Sequence, residues 1–107
     1  MKLFTLAALA ALAATGLIFS APALADSALA KKSGCLNCHA ADKKVVGPSY
    51  QDVAKKYAGD AGAEAKLIAK VKKGGSGAWG PTPMPANAQV KDEDIKTLVK
   101  WVLAGAK

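Results

Sequence analysis

The stretch GCLNCHA, Gly34 to Ala40, governs how the rest of the chain is read. It contains the only two cysteines of the sequence, Cys35 and Cys38, and the only histidine, His39, follows the second directly. A chain that gathers all its thiols and its sole imidazole between residues 35 and 39 has given them a common task. Three chemistries compete for it.

A disulfide between Cys35 and Cys38 is the simplest. It would close a tiny loop, constrain the unfolded chain little and leave His39 incidental. A catalytic dithiol would want a strand–helix–strand setting, and the sequence offers no strand pattern for one. Zinc is the second candidate. Three ligands are at hand, but structural zinc sites draw four, usually from two separated pairs, and no second pair exists. The third is covalent haem attachment, for which C-x-x-C-H is the signature. Both thiols add to the two vinyl groups and become thioethers, and His39, held beside the second, binds iron from one face. One planar ligand needs all three side chains at once, which explains why they are clustered.

The N-terminus narrows the setting. Lys2 is followed by an apolar, alanine-rich run from Leu3 to Phe19. Pro22 then interrupts it, Ala23-Leu24-Ala25 gives a small-x-small cleavage pattern, and charge begins at Asp26. Residues 1–25 read as a secretory signal peptide cleaved after Ala25, with the alternative of a retained anchor. The mature chain, residues 26–107, is then one small exported domain with no membrane span. A chain this short has little apolar core and gains from a cofactor. The 107-residue sequence carries a net charge of +7, and all 15 basic residues are lysine. Nucleic-acid readers rely on the guanidinium fork, so the lysines point away from nucleic acid and toward acidic protein surfaces.

If iron is present, its second axial position is either open, for gases or peroxide, or filled by a strong ligand that makes the protein an electron carrier. Met1 leaves with the leader, so Met84 is the sole methionine of the mature chain. It stands in GPTPMPANA, Gly80 to Ala88, between Pro83 and Pro85, which stiffen the loop. A soft thioether favours reduced iron and raises the potential. The alternatives are that Met84 fills a core gap or that a deprotonated lysine competes for the iron.

Spacing predicts helices and no sustained strand alternation, hence an all-α fold. A short helix starts at Asp26 or Ser27, runs through Lys32 and ends at Gly34. VVGPSY, Val45 to Tyr50, reads as a turn. Tyr50, Val53, Ala54 and Tyr57 share a face of the next helix, which Gly59 ends. Ala63, Leu67, Ile68 and Val71 mark a helix over residues 63–73. Ile95, Leu98, Val99, Val102 and Leu103 mark the last, from Asp92 to about Ala104, with three acidic residues at its positive end. GGSGAWG, Gly74 to Gly80, reads as a segment that lets backbone approach the cofactor. Trp101 suits the core. A buried Trp79 indole needs an acceptor, and a haem propionate would serve.

GCLNCHA, VGPSYQDVAKKYAG, KKGGSGAWGPTPMP and LVKWVL, in this order and spacing, resemble the short bacterial class I cytochromes c. The nearest group is the small monohaem periplasmic carriers that donate to nitrite reductases and terminal oxidases. The likeness spans essentially the whole mature chain. It implies helices wrapped around one covalently bound haem c, with Cys35 and Cys38 as attachment points and His39 and Met84 as axial ligands. It further implies that the Pro48 carbonyl orients His39, that Trp79 and Lys70 meet the propionates and that Asn87 lies near the Met84 sulfur. Lys70 departs from the arginine common at that place, and Lys91 from the usual Ser/Thr cap of the last helix.

The function expected from this is one-electron transfer between respiratory redox proteins, with no substrate turnover and no enzyme activity. The partners expected are acidic-surfaced redox proteins, such as a nitrite reductase or terminal oxidase and a membrane quinol-oxidising complex, with the carrier itself a monomer. The alternatives are a haem enzyme or ligand sensor, peroxidase-like or gas-binding with a labile methionine ligand, and a fixed subunit of a larger complex. Leu36, Val45, Val46, Pro81, Pro83 and Pro85 are expected to form an apolar docking patch, rimmed by Lys31, Lys32, Lys43, Lys44, Lys72 and Lys73.

Overall fold

A computed structural model describes residues 23–107, together with Gly16. The rest of the expected leader lies outside the described residues. Four helices and one small hairpin follow in order: α1 Ala23–Lys32, a 3-10 turn Cys35–Asn37, α2 Tyr50–Lys56, α3 Ala63–Lys73, β1 Gly75–Gly77, β2 Gly80–Met84 and α4 Asp92–Leu103. No helix among the described residues is long and apolar enough to cross a membrane.

The helix positions follow the periodicity closely, with two differences. The first helix begins at Ala23, so Asp26 falls in its first turn rather than at its cap. Alanine and leucine are the strongest apolar helix formers, and they carry the helix across the expected cleavage point. The other difference is the hairpin. β1 and β2 pair antiparallel, with Gly75 opposite Met84 and Gly77 opposite Gly80. Apolar alternation could not announce it, because its glycine, serine, proline and threonine residues are exposed on both faces, with only Met84 partly covered. The all-α reading holds, with one small two-stranded ribbon added to the four helices.

The core gathers on α4, which packs against the other three helices. Its face of Ile95, Leu98, Val99, Trp101 and Val102 is buried, and Ile95 completely so. Burying one such aliphatic side chain contributes about 1.5–3 kcal/mol. Ala30 of α1, Tyr50 and Val53 of α2, and Ala106 complete one cluster with Leu98, Trp101 and Val102. Trp101 therefore belongs to the core, and Tyr50 meets it edge-on at 5.5 Å between ring centroids. Ser49 caps α2, its hydroxyl accepting from the Asp52 N–H at 3.1 Å. Lys91 precedes α4 without a side-chain cap. Asp92, Glu93 and Asp94 instead lie in the first turn, where their charge meets the helix dipole.

Candidate haem site

The spacing of the two cysteines has a direct geometric consequence. Residues 35–37 form a 3-10 turn. With three residues per turn, positions i and i+3 project from the same side. Cys35 and Cys38 therefore face one cavity, of about 410 Å³, and His39 lines it too. The two sulfurs are not joined to each other. Among the described residues, no three of His, Cys, Asp and Glu converge as a metal site. Burial pushes the Cys35 thiol up, and burial likewise pushes up the Tyr50 hydroxyl.

The chain after His39 folds back to hold the imidazole. The Cys38 carbonyl accepts from the N–H groups of Val46 and Gly47, at 3.1 and 2.7 Å. Tyr50 and Gln51 donate to the carbonyls of Ala40 and Ala41, at 2.9 and 3.0 Å. These bonds set the Pro48 carbonyl 2.8 Å from His39 Nδ1. A carbonyl only accepts, so Nδ1 is the donor, and in the neutral ring Nε2 keeps its lone pair. Tyr50 stacks on the ring, with centroids 5.1 Å apart and planes 21° from parallel. Gly47 makes this approach possible. A Cβ there would lie 2.8 Å from Nδ1 and 3.0 Å from Nε2. Sequence reading gave VVGPSY only as a turn and missed Gly47; its place beside a proline was the available signal.

Met84 reaches the same cavity from the end of β2. Its loop is fastened to α3 by Asn87, whose backbone N–H and side-chain Nδ2 both meet the Val71 carbonyl at 3.1 Å. Nδ2 also donates to the Pro85 carbonyl at 3.3 Å. Asn87 lines the cavity with Met84, but its amide hydrogens are given to backbone carbonyls. Gly74 allows the loop to lie on the end of α3. It has a left-handed φ of 70°, and a Cβ there would run into the Met84 carbonyl and the Ala86 nitrogen. Lys70 and Trp79 also line the cavity. The Lys70 ammonium rests against Gly75, and Trp79 is 43% exposed. Leu67 and Val71 of α3 and Leu98, Val99 and Val102 of α4 give the cavity apolar walls.

The residues expected to form a docking patch differ in exposure. Val45 and Val46 are exposed at 47% and 51%, and Pro81, Pro83 and Pro85 are exposed. Leu36 is instead half-buried against the core, because the 3-10 turn rotates it away from the cysteines. On the lysine rim, Lys72 is 2.9 Å from an Asp92 carboxylate oxygen, so its charge is partly answered within the chain.

A slot with apolar walls, two thiols on one side of a turn, an imidazole with a free nitrogen, and a thioether defines a haem-protein site. Residues 25–106 match the family model described as Cytochrome c, and the chain belongs to that family. It is 53% identical over 92 residues to cytochrome c-551 of Allochromatium vinosum, covering 86% of this chain and 98% of that protein. It is 52% identical over 99 residues to cytochrome c-551 of Pseudomonas aeruginosa, covering 91% of this chain and 94% of that one. Among solved structures, it resembles wild-type Nitrosomonas europaea cytochrome c552 with a TM-score of 0.72 and 47% identity. That likeness covers 74% of this chain and 98% of that one. The family carries a covalently bound c-type haem, and small members of this kind are monohaem electron carriers.

Proposed function

We propose that the chain is a periplasmic one-electron carrier. In this reading Cys35 and Cys38 anchor the haem, His39 and Met84 are its axial ligands, and residues 1–25 are removed after Ala25. The observation that carries it is the convergence of all four side chains, from two loops, on one apolar-walled cavity. Bound there, the haem supplies one-electron exchange between ferric and ferrous iron.

The residues have separate tasks. The Pro48 carbonyl holds the Nδ1 proton and so presents Nε2 as the ligand atom. Tyr50 and Gly47 restrict how the ring turns. Met84 offers a soft donor that favours the ferrous state. Lys70 and Trp79 provide a cation and an indole N–H suited to the two propionates. The walls of Leu67, Val71, Leu98, Val99 and Val102 exclude water, which also favours the less charged iron. With His39 and Met84 both holding the iron, the protein would pass electrons and turn over no substrate.

The exposed Val45, Val46 and prolines beside the cavity mouth would make a brief apolar contact with a redox partner. Lys31, Lys32, Lys43, Lys44 and Lys73 would steer that partner by its acidic surface. A nitrite reductase or terminal oxidase on one side and a quinol-oxidising complex on the other fit this role.

Denaturing mass spectrometry of the exported protein tests the reading. The chain from Asp26 to Lys107 plus one haem, without free thiol, is expected. Met84→Ala should then open the iron to added ligands and lower the potential. An unmodified chain with a Cys35–Cys38 disulfide overturns attachment. A Met84→Ala protein with the parent's spectrum and potential overturns methionine ligation.

A further inference from the structure

The hairpin is the least supported element of the fold. β1 and β2 pair chiefly with each other, and no helix packs extensively against them. Gly75, Gly77 and Gly80 have φ values of 136°, 105° and 105°. Glycines in such conformations leave the backbone pliant. The base of the hairpin is fixed where Asn87 meets the Val71 carbonyl. Its tip, Ala78 and Trp79, lies at the far end, yet Trp79 is a wall of the cavity. Something must hold the tip.

Lys56, in the last turn of α2, makes that connection. Its Nζ donates to the Ala78 carbonyl at 2.7 Å and stands 4.6 Å from the centroid of the Trp79 ring. One exposed ammonium facing one partner gains little. This one satisfies a carbonyl and an aromatic face at once, across 22 residues of sequence. The adjacent Lys55 makes neither contact among the described residues.

We infer that Lys56 is a positioning residue, whose ammonium straps the hairpin tip to α2 and fixes the Trp79 indole at the cavity rim. Releasing it frees the tip while the Asn87 anchor still holds the base. The indole then no longer stays in one place against whatever fills the cavity. That consequence rests on the haem reading given under Proposed function; the strap itself does not.

The test uses the haem-loaded protein and four chains: parent, Lys56→Met, Lys56→Arg and Lys55→Met. Chymotrypsin cleavage after Trp79 reports the population of the open tip when opening is fast relative to cutting. Lys56→Met should be cut about fivefold to tenfold faster, the factor expected from losing one cation–π contact and one hydrogen bond. Lys55→Met removes the same charge and should be cut at the parent's rate. Lys56→Arg keeps a donor and a cation and should restore protection. The midpoint potential should fall in Lys56→Met, fall much less in Lys55→Met, and recover in Lys56→Arg. A Lys56→Met protein that matches Lys55→Met in both cleavage rate and potential overturns the strap. If the purified protein carries no haem, the carrier reading falls, and the cleavage comparison still decides the strap.

Discussion

Gly47→Ala adds a single methyl group where the structure leaves no room. The new carbon would fall 2.8 Å from His39 Nδ1 and 3.0 Å from Nε2, with Cε1 nearer still. Ordinary contact needs about 3.5–4.0 Å, so the ring or the loop must move by roughly 1 Å. The ring has little freedom to do so, being bonded to the Pro48 carbonyl at 2.8 Å and stacked on Tyr50. A shift of that size breaks the Nδ1 hydrogen bond and overpacks the loop. Together these cost about 2–4 kcal/mol. For a domain this small, the melting midpoint should fall on the order of 10–25 °C. Thermal unfolding of the haem-loaded protein, followed by circular dichroism and visible absorption, measures it. Gly59→Ala is the control: its φ is 77°, but nothing lies within reach of the added carbon. It should cost about 1–2 kcal/mol of backbone strain and leave His39 untouched. A Gly47→Ala protein that melts within about 3 °C of the parent, with the Nδ1 proton still bonded in NMR spectra, would refute the steric account.

Two further outcomes are expected. The Lys66 ammonium, 2.8 Å from Asp60, and the Gly62 N–H hold the Asp60 carboxyl below its ordinary value of 3.8. Its small stabilisation is present above that ordinary value and lost as pH falls through the lowered one. An NMR titration should show the depressed midpoint in the parent and a rise toward the ordinary value in Lys66→Met. Raising ionic strength should slow electron transfer to an acidic partner, since screening sets in over about 10 Å at 0.1 M salt. A residual rate set by the apolar contact should remain; a rate that stays flat with salt would discard the lysine steering.

What was legible in the sequence was local. The C-x-x-C-H run names its chemistry because the ligands are adjacent, and three-residue spacing puts both sulfurs on one side of a tight turn. The helices were legible because burial on one side repeats every 3.6 residues, and α3 spans residues 63–73 as its spacing predicts. Met84 could be singled out because no other methionine remains outside the expected leader. What only the tertiary structure decided joins residues far apart. No periodic signal marks the exposed glycine hairpin, since its strands are held by backbone bonds and bury almost no side chains. Leu36 looked like patch surface until the 3-10 turn laid it against the core. Lys72 looked like a free rim charge until α4 brought Asp92 beside it. Gly47 and Lys56 are an ordinary turn glycine and an ordinary surface lysine as letters. Their roles arise only when folding closes the loop on His39 and brings α2 to the hairpin tip, because contacts across many residues leave no trace in local spacing.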